Sequence, residues 1–463
     1  VTVVIPLTPA PDPFDTCRRF STPPLPYVLF LDSSAHGILG RYSFLAADPV
    51  ALARTPDEAR MLVQRHARAA LPGVPPFQGG IAGYLSYDWG AELERVARPS
   101  PDRFTPQISD VLLGLYDWVI AWDHREGTAW LISTGIEEGG RGRSEQRAAA
   151  RAAWVRERLS APAPAVSDHP PPAAASPQSN FTRAEYEAAV SRVREYIAAG
   201  DVYQVNLAQR FHVPYHGSSL ALYRRLRARN PAPFGAYLDF VGTVITSISP
   251  ERFLSLDAAS RVAEARPIKG TRPRGTTPTR DRALARELEE SEKDRAENVM
   301  IVDLLRNDLG KVCRPGSVTV PTLFALESHP TVHHLVSTVR GVLADGHDAF
   351  DVLRAAFPGG SVTGAPKIRA MEIIAELERA PRGVYCGAIG YVSTNGAMDF
   401  NIPIRTVVHR DGVATFHAGA GIVWDSEPAA EYQETLAKAR TMMEALTSPR
   451  KTPQTRGRVR PRA

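Results

Sequence analysis

From Ser160 to Asn180 the chain reads Ser-Ala-Pro-Ala-Pro-Ala-Val-Ser-Asp-His-Pro-Pro-Pro-Ala-Ala-Ala-Ser-Pro-Gln-Ser-Asn. Such a stretch has little to bury, and its prolines remove backbone donors from any helix or sheet interior. No core can be built through it, so it reads as an extended linker over 160–180. Whatever folds must be assembled from the arms on either side, an N-terminal region at 1–159 and a C-terminal region at 181–446. With 43% hydrophobic and 23% charged residues in a chain of 463, both arms can build cores. Length alone suggests two or three domains.

The N-terminal arm alternates short apolar runs with turns. Tyr27–Leu31, Gly80–Ser86 and Val111–Ile120 read as strands, the last also compatible with helical phasing. An Arg- and Ala-rich stretch from Ser144 to Leu159 reads as an exposed helix. Beyond the linker, Thr182-Arg-Ala-Glu185 is a capping-box pattern that opens a helix ending near Gly200. Strand-like segments follow at 202–213, 235–248, 252–257, 384–393, 400–409 and 413–418. Helical patterns cover 281–309, 366–379 and 428–446. Runs of strands broken by groups of helices, without regular βαβ units, predict an α+β fold of antiparallel β-sheets flanked by helices.

Several function classes are disfavoured. No apolar run approaches the roughly 18–20 residues of a membrane helix, and the first residues do not resemble a signal peptide. Cys17, Cys313 and Cys386 are isolated in sequence, which fits a reducing cytoplasm better than a disulfide framework or thiolate zinc site. The net charge of +5 resides partly in a basic tail at 447–463, expected to be disordered, so it does not indicate nucleic acid. GxxxxGK[ST] is absent, as is GxGxxG in a βαβ context, which argues against a nucleotide site.

Lysine usage points to chemistry. Of 55 cationic residues only six are Lys, at 269, 293, 311, 367, 438 and 451. A chain that otherwise uses Arg keeps Lys where an amine that can lose its proton is needed. Lys269 lies in the turn-rich Arg266-Pro-Ile-Lys-Gly-Thr-Arg-Pro-Arg-Gly275, where it is either such an amine or a surface Lys in a basic loop. Paired carboxylates at helical spacing, Asp294 with Glu297 and Glu431 with Glu434, could hold a hard divalent cation or could be ordinary helix ion pairs, as Glu434 with Lys438 would be. The glycine-rich stretches Phe357–Lys367 and His417–Ile422 could direct backbone N–H groups at an anion or could be bare turns, and Arg405 could clamp a carboxylate.

Together, Gln204-Val-Asn-Leu, Ser249-Pro-Glu-Arg-Phe, Pro267-Ile-Lys-Gly-Thr, Ala296-Glu-Asn-Val-Met-Ile-Val-Asp-Leu, His334-Leu-Val-Ser, Gly364-Ala-Pro-Lys and Gly419-Ala-Gly resemble the chorismate-binding enzymes. This family includes the anthranilate, aminodeoxychorismate, isochorismate and salicylate synthases. The resemblance is dense over 180–446 and weaker in Leu31-Asp-Ser33 and Gly40–Pro49. It implies an anthranilate-synthase-component-I-like α+β fold. Gln204 stands where the isochorismate and salicylate synthases carry a water-activating Lys, which disfavours water as nucleophile. Lys269 stands where anthranilate synthases carry Ala, and Pro-Ile-Lys-Gly-Thr is the aminodeoxychorismate synthase form.

The implied site follows residue by residue. Lys269 is the nucleophile, Glu251 the general acid, and His334 lies near the ring hydroxyl. Gln204, Gly270, Thr271, Ser361, Tyr385, Arg405, Gly419, Ala420, Gly421 and Lys438 form the substrate-binding set. Glu297 and Glu434, with Glu431 close by, hold Mg²⁺, while Asp294 departs from the Glu common in anthranilate synthases. The implied reaction is amination of chorismate to 4-amino-4-deoxychorismate on the way to 4-aminobenzoate and folate; anthranilate synthesis is the alternative. No cysteine sits in a glutaminase-like context, so ammonia is expected from a separate glutamine amidotransferase subunit, and a separate lyase is expected to release 4-aminobenzoate. Ser33, Arg41 and Tyr42 fall in segments similar to the family's tryptophan site. Asp32 replaces the Glu of its feedback motif, so feedback inhibition is not implied.

Overall fold

Alternation along two strands shows how the layers form. In strand Trp118–Asp123, Trp118, Ile120 and Trp122 join one apolar cluster while Val119 and Ala121 join another. Val28 and Phe30 split from Leu29 in the same way along Val28–Asp32. Successive strand residues face opposite sides, so a strand apolar at every position must be covered on both. The computed structural model, which describes residues 2–37, 39–165, 176–328 and 332–447, supplies both covers.

Two antiparallel sheets pack face to face, with helices on their outer surfaces. The twelve-stranded sheet begins with Val3–Pro6, Thr128–Ser133 and Trp118–Asp123. It continues through Tyr42–Ala46, Val28–Asp32, Phe234–Phe240 and Thr243–Ser249, and ends with Thr406–Arg410, Val413–Ile422, Gln204–Pro214 and Gly364–Ala365. The ten-stranded sheet runs from Ile268–Pro273 through Val332–Val342, Val262–Ala265, Arg252–Leu256, Met398–Asn401 and Ala388–Ser393 to Gly80–Leu85, Val111–Tyr116 and Ala51–Ala53. Leu29, Phe44, Tyr84, Tyr116, Leu238, Ile389 and Tyr391 fill the space between them. Helices Pro13–Ser21, Glu145–Ser160, Ser219–Arg229 and Pro428–Thr447 cover the outer face of the first sheet; Pro56–Arg65, Glu292–Gly310 and Ala349–Ala356 cover that of the second.

The proline-rich segment divides the sequence but not the fold. Val28–Asp32 pairs with Phe234–Phe240, and Gly80–Leu85 pairs with Ala388–Ser393, so both sheets contain strands from both arms. Ser160 closes a helix and Gln178–Ser179 pairs with Gln204–Pro214, which trims the extended stretch at each end. Residues 166–175 of that stretch and 448–463 of the basic tail lie outside the described residues; Thr447 ends the last helix.

Four segments read as single elements are broken in the structure. The apolar run 111–120 is two strands in different sheets, with the chain crossing at Asp117, whose fully buried carboxylate is held by Arg147 at 3.3 Å and Arg151 at 3.2 Å. The 235–248 run is a hairpin turning at Val241 and Gly242, both at positive φ. The 281–309 pattern is two helices broken at Ser291, whose hydroxyl accepts the Asp294 N–H at 3.2 Å and caps the second. The 400–409 run separates into Met398–Asn401 and Thr406–Arg410, again in different sheets. Elsewhere local chemistry held. Thr182 and Glu185 form the reciprocal capping box of helix Arg183–Ala198.

Buried ion pairs tie the site-bearing loops to this frame. Arg382 pairs with Glu378 at 2.7 Å and donates to the carbonyls of Val362 and Asn206, while Glu378 accepts the Ala208 N–H. Lys367 donates to Asp308 and to the Ala356 carbonyl, both at 2.7 Å, and Lys311 meets the same Asp308. Removing one partner of such a pair leaves a buried charge uncompensated, at a cost of about 3–5 kcal/mol.

Candidate active site

Residues from strands of both sheets enclose a cavity of ≈ 510 Å³. Strand Ile268–Pro273 forms one wall and Val413–Ile422 another; helices Glu292–Gly310 and Pro428–Thr447 bring in acidic side chains.

Lys269 reaches this cavity because its strand is bulged. Ile268 pairs with Val336 and Thr271 with His334, so one extra residue is accommodated between them. A bulge re-aims side chains that simple alternation would place elsewhere. Gly270 makes it possible: its φ is +82°, and a Cβ there would stand 2.7 Å from Leu288 Cδ1 and 2.8 Å from Asp294 Cγ. Arg266 pairs with Glu327 of strand Thr319–Ser328, which flanks Val332–Val342, whereas Arg272 binds Glu287 and Asp294 at the cavity edge.

The Lys269 amine donates to the Ser361 carbonyl at 2.9 Å, and the Ser361 hydroxyl donates to Glu251 Oε1 at 2.6 Å. One residue of the Gly360–Val362 turn thus bridges the candidate nucleophile and the candidate acid. Burial lowers the Lys269 pKa, against the pull of Glu297 and Glu251. Burial also raises the Glu251 pKa, with the Ser361 hydrogen bond and Lys269 opposing. Both shifts favour the uncharged forms. His334 Nδ1 and Thr271 Oγ1 are hydrogen-bonded at 2.9 Å across the adjacent rung.

The acidic wall consists of Glu297, Glu431 and Glu434. Burial is the main cause that raises Glu297 and Glu431, and the Glu434 carboxylate adds to both. Lys438 binds Glu434 at 2.7 Å and donates to the Gly419 carbonyl at 3.0 Å. Among the described residues no three His, Cys, Asp or Glu side chains are grouped tightly enough to form a complete metal cage. The donors on this wall are carboxylate oxygens, the hard ligand type that Mg²⁺ takes one or two of, with water and substrate oxygens completing its octahedron.

Opposite, Arg405 lines the cavity from a left-handed backbone position, φ +52°. Burial lowers its pKa, and among the described residues no carboxylate pairs with it. A desolvated guanidinium facing a cavity suits an anionic ligand. Tyr385 lines the same wall, stacked on His417 with ring centroids 5.1 Å apart.

The structure therefore brings Glu251, Lys269, Gly270, Thr271, Glu297, His334, Ser361, Tyr385, Arg405, Gly419, Gly421, Glu431, Glu434 and Lys438 to one cavity. Two expected members stand behind it. Gln204 is buried against Gly421, where a Cβ would meet its Nε2 at 2.3 Å, and Asn206 is the residue of that strand lining the cavity. The Ala420 side chain packs into the core with Val205 and Ile422. Ser33, Arg41 and Tyr42 line a separate cavity of ≈ 120 Å³, where Arg41 is bound to Asp123 and Asp32 is held by Arg227 and Tyr223. Asn206, Lys293 and His417 line the main cavity without having been singled out as site residues. The scarcity of lysine could have found Lys293, and Asn206 and His417 lie inside the quoted Gln204-Val-Asn-Leu motif and the glycine-rich stretch His417–Ile422.

An internal cavity with an acidic wall, a desolvated guanidinium and a buried amine beside a carboxyl defines a class of enzyme that handles a small polyanion. The model of the chorismate binding enzyme family matches residues 34–444, and the chain belongs to that family. It is 43% identical over 447 aligned residues to aminodeoxychorismate synthase component 1 of Salmonella typhimurium, covering 91% of this chain and 93% of the relative. It is 44% identical over 423 residues to anthranilate synthase component 1 of Streptomyces coelicolor, covering 89% and 81%. Among solved structures, anthranilate synthase component I from Streptococcus pneumoniae aligns with TM-score 0.77 at 33% identity, over 88% of this chain and 93% of that one. MenF, the isochorismate synthase of Escherichia coli, aligns with TM-score 0.75 at 19% identity over 96% and 94%, a likeness of fold.

Proposed function

We propose that this chain aminates chorismate to 4-amino-4-deoxychorismate, as component 1 of an aminodeoxychorismate synthase. The observation that carries the reading is Lys269: a desolvated amine in the cavity, joined through Ser361 to a buried carboxyl. The relatives with that name support it.

In this reading the uncharged Lys269 amine bonds to ring C2. The ring double bonds shift, the C4–O bond breaks, and the hydroxyl leaves as water with the Glu251 proton. Ammonia then bonds to C4, the double bonds shift back, and the C2–N bond breaks to return neutral Lys269. The new C4 ammonium returns a proton to Glu251. Chorismate plus ammonia thus gives aminodeoxychorismate plus water. Arg405 and Tyr385 hold a substrate carboxylate opposite the acidic wall. Glu297 and Glu434, with Glu431 behind them, would hold Mg²⁺, which when bound neutralises the ring carboxylate and orients the ring.

Ammonia comes from a glutamine amidotransferase partner, consistent with the name component 1 among the relatives. The product serves 4-aminobenzoate and folate synthesis. No described helix is long and apolar enough to cross a membrane, and three buried free cysteines suit a reducing cytoplasm.

The test is product identity from chorismate, Mg²⁺ and ammonium salt, by chromatography with mass detection and by fluorescence. Aminodeoxychorismate supports the reading. Fluorescent anthranilate as the sole product overturns it in favour of the anthranilate synthase relatives.

A further inference from the structure

Along strand Gln204–Pro214, Val205 and Leu207 join an apolar cluster, whereas Asn206 between them is half-buried and lines the main cavity. Its side-chain Nδ2 donates to the Ser361 carbonyl at 3.0 Å. Only the nitrogen end of an amide can face a carbonyl oxygen, which fixes how the group is turned. The same oxygen accepts the Lys269 amine at 2.9 Å. Donors from one strand of each sheet therefore meet on a single acceptor.

The backbone around this contact is held without the Asn206 side chain. The Asn206 N–H donates to the Thr363 carbonyl at 2.8 Å, and the Asn206 carbonyl accepts Arg382 Nη2 at 2.7 Å. Asn206 also pairs with Gly421 on the adjacent strand. Arg382 Nη1 holds the Val362 carbonyl and the Thr363 hydroxyl holds the Gly359 carbonyl, both at 2.9 Å. Strand and turn are thus anchored by other bonds. What the side-chain amide adds is a second donor on the one carbonyl that holds the amine.

A carbonyl oxygen has two acceptor sites. With the amide on one of them, Lys269 is confined to the other. A neutral amine has two N–H groups and one lone pair, so tying one N–H to a fixed site restricts where the lone pair can point. Lysine carries its amine on a flexible four-carbon stem, and attack requires the reacting atoms to be close and aligned.

We propose that Asn206 is a positioning residue for the nucleophile: its amide occupies one acceptor site of the Ser361 carbonyl, confines the Lys269 amine to the other, and so directs the amine's lone pair at the substrate. The inference rests on the proposed attack by Lys269 but not on which aminated product follows.

The test is the rate at which the full chain forms the Lys269 adduct, measured by rapid quenching with chorismate and Mg²⁺ in the absence of ammonia, followed by peptide mass analysis. Asn206→Leu keeps the size of the side chain and removes the donor. Asn206→Ala, which is smaller, guards against a packing clash, and circular dichroism follows the fold of both. Adduct formation should slow by about tenfold or more in each, because small misplacements of a reacting group are amplified in rate. Chorismate binding is read separately, by calorimetric titration in the Lys269→Ala background, where no adduct can form. There Asn206→Leu should change the chorismate Kd by less than about twofold, since a residue that acts only through Lys269 has nothing further to lose. Slowing of less than about threefold in a folded variant overturns the positioning role. A Kd weakened by about fivefold or more also overturns it, because Asn206 would then be a substrate contact. If the wild-type chain forms no adduct, the reading of Lys269 as nucleophile has failed, which is a separate outcome.

Discussion

Ser361→Ala separates the candidate acid from the candidate nucleophile. The hydroxyl donates to Glu251 at 2.6 Å, within the range of charge-assisted O–H···O⁻ bonds. Lys269 is held by the backbone carbonyl of the same residue, which the substitution leaves in place. A hydrogen bond to a charged group is worth about 1.5–3 kcal/mol, and each pKa unit corresponds to about 1.4 kcal/mol. Loss of a bond that stabilises the ionised carboxylate should therefore raise the Glu251 pKa by a further ~1–2 units. If Glu251 must be protonated to expel the hydroxyl, the alkaline limb of kcat/KM for chorismate moves up by the same interval. The assay is the pH–rate profile of wild type and variant with ammonia held at saturation. An alkaline limb that stays in place refutes the assignment of Glu251 as the acid. A limb that moves while the Lys269 adduct still forms supports the division of labour.

Glu251→Gln provides a stability counterpart. A carboxyl whose folded pKa is raised contributes stability that is complete below its unfolded pKa and is lost as pH rises through the folded one. The Tm of Glu251→Gln relative to wild type should therefore rise from acid to neutral pH, as followed by calorimetry; a constant difference would contradict the raised pKa. Lys269→Arg should lose activity as completely as Lys269→Ala, by roughly a thousandfold or more, because guanidinium keeps the charge but is not a nucleophile. Peptide mass analysis after quenching with chorismate alone should find the substrate adduct on Lys269 in wild type; a half-active Arg variant without adduct would exclude covalent chemistry. Glu297→Ala and Glu434→Ala should each weaken Mn²⁺ binding, followed by electron spin resonance, by about tenfold or more while circular dichroism stays unchanged. Wild-type binding in both variants would mean that these carboxylates serve only as ion-pair partners.

Residue chemistry that acts over a few positions was legible along the chain. Thr182 and Glu185 declare a helix start because their side chains satisfy N–H groups within the same turn. The rarity of lysine was informative because an amine differs from guanidinium wherever it stands. Three of the six lysines line the main cavity, and two others converge on Asp308. Linear motifs likewise carried the family, since they record which side chains the chemistry requires. Sheet partners and the surroundings of buried charges depend on residues far away in sequence, and these only the tertiary structure decided. The run 111–120 looks uniform because every residue is apolar, yet it serves two sheets and turns at Asp117, whose charge is tolerable only beside two arginines some thirty residues away. Simple alternation places Lys269 on a strand face, whereas the bulge at Gly270 opposite His334 brings its amine to Ser361.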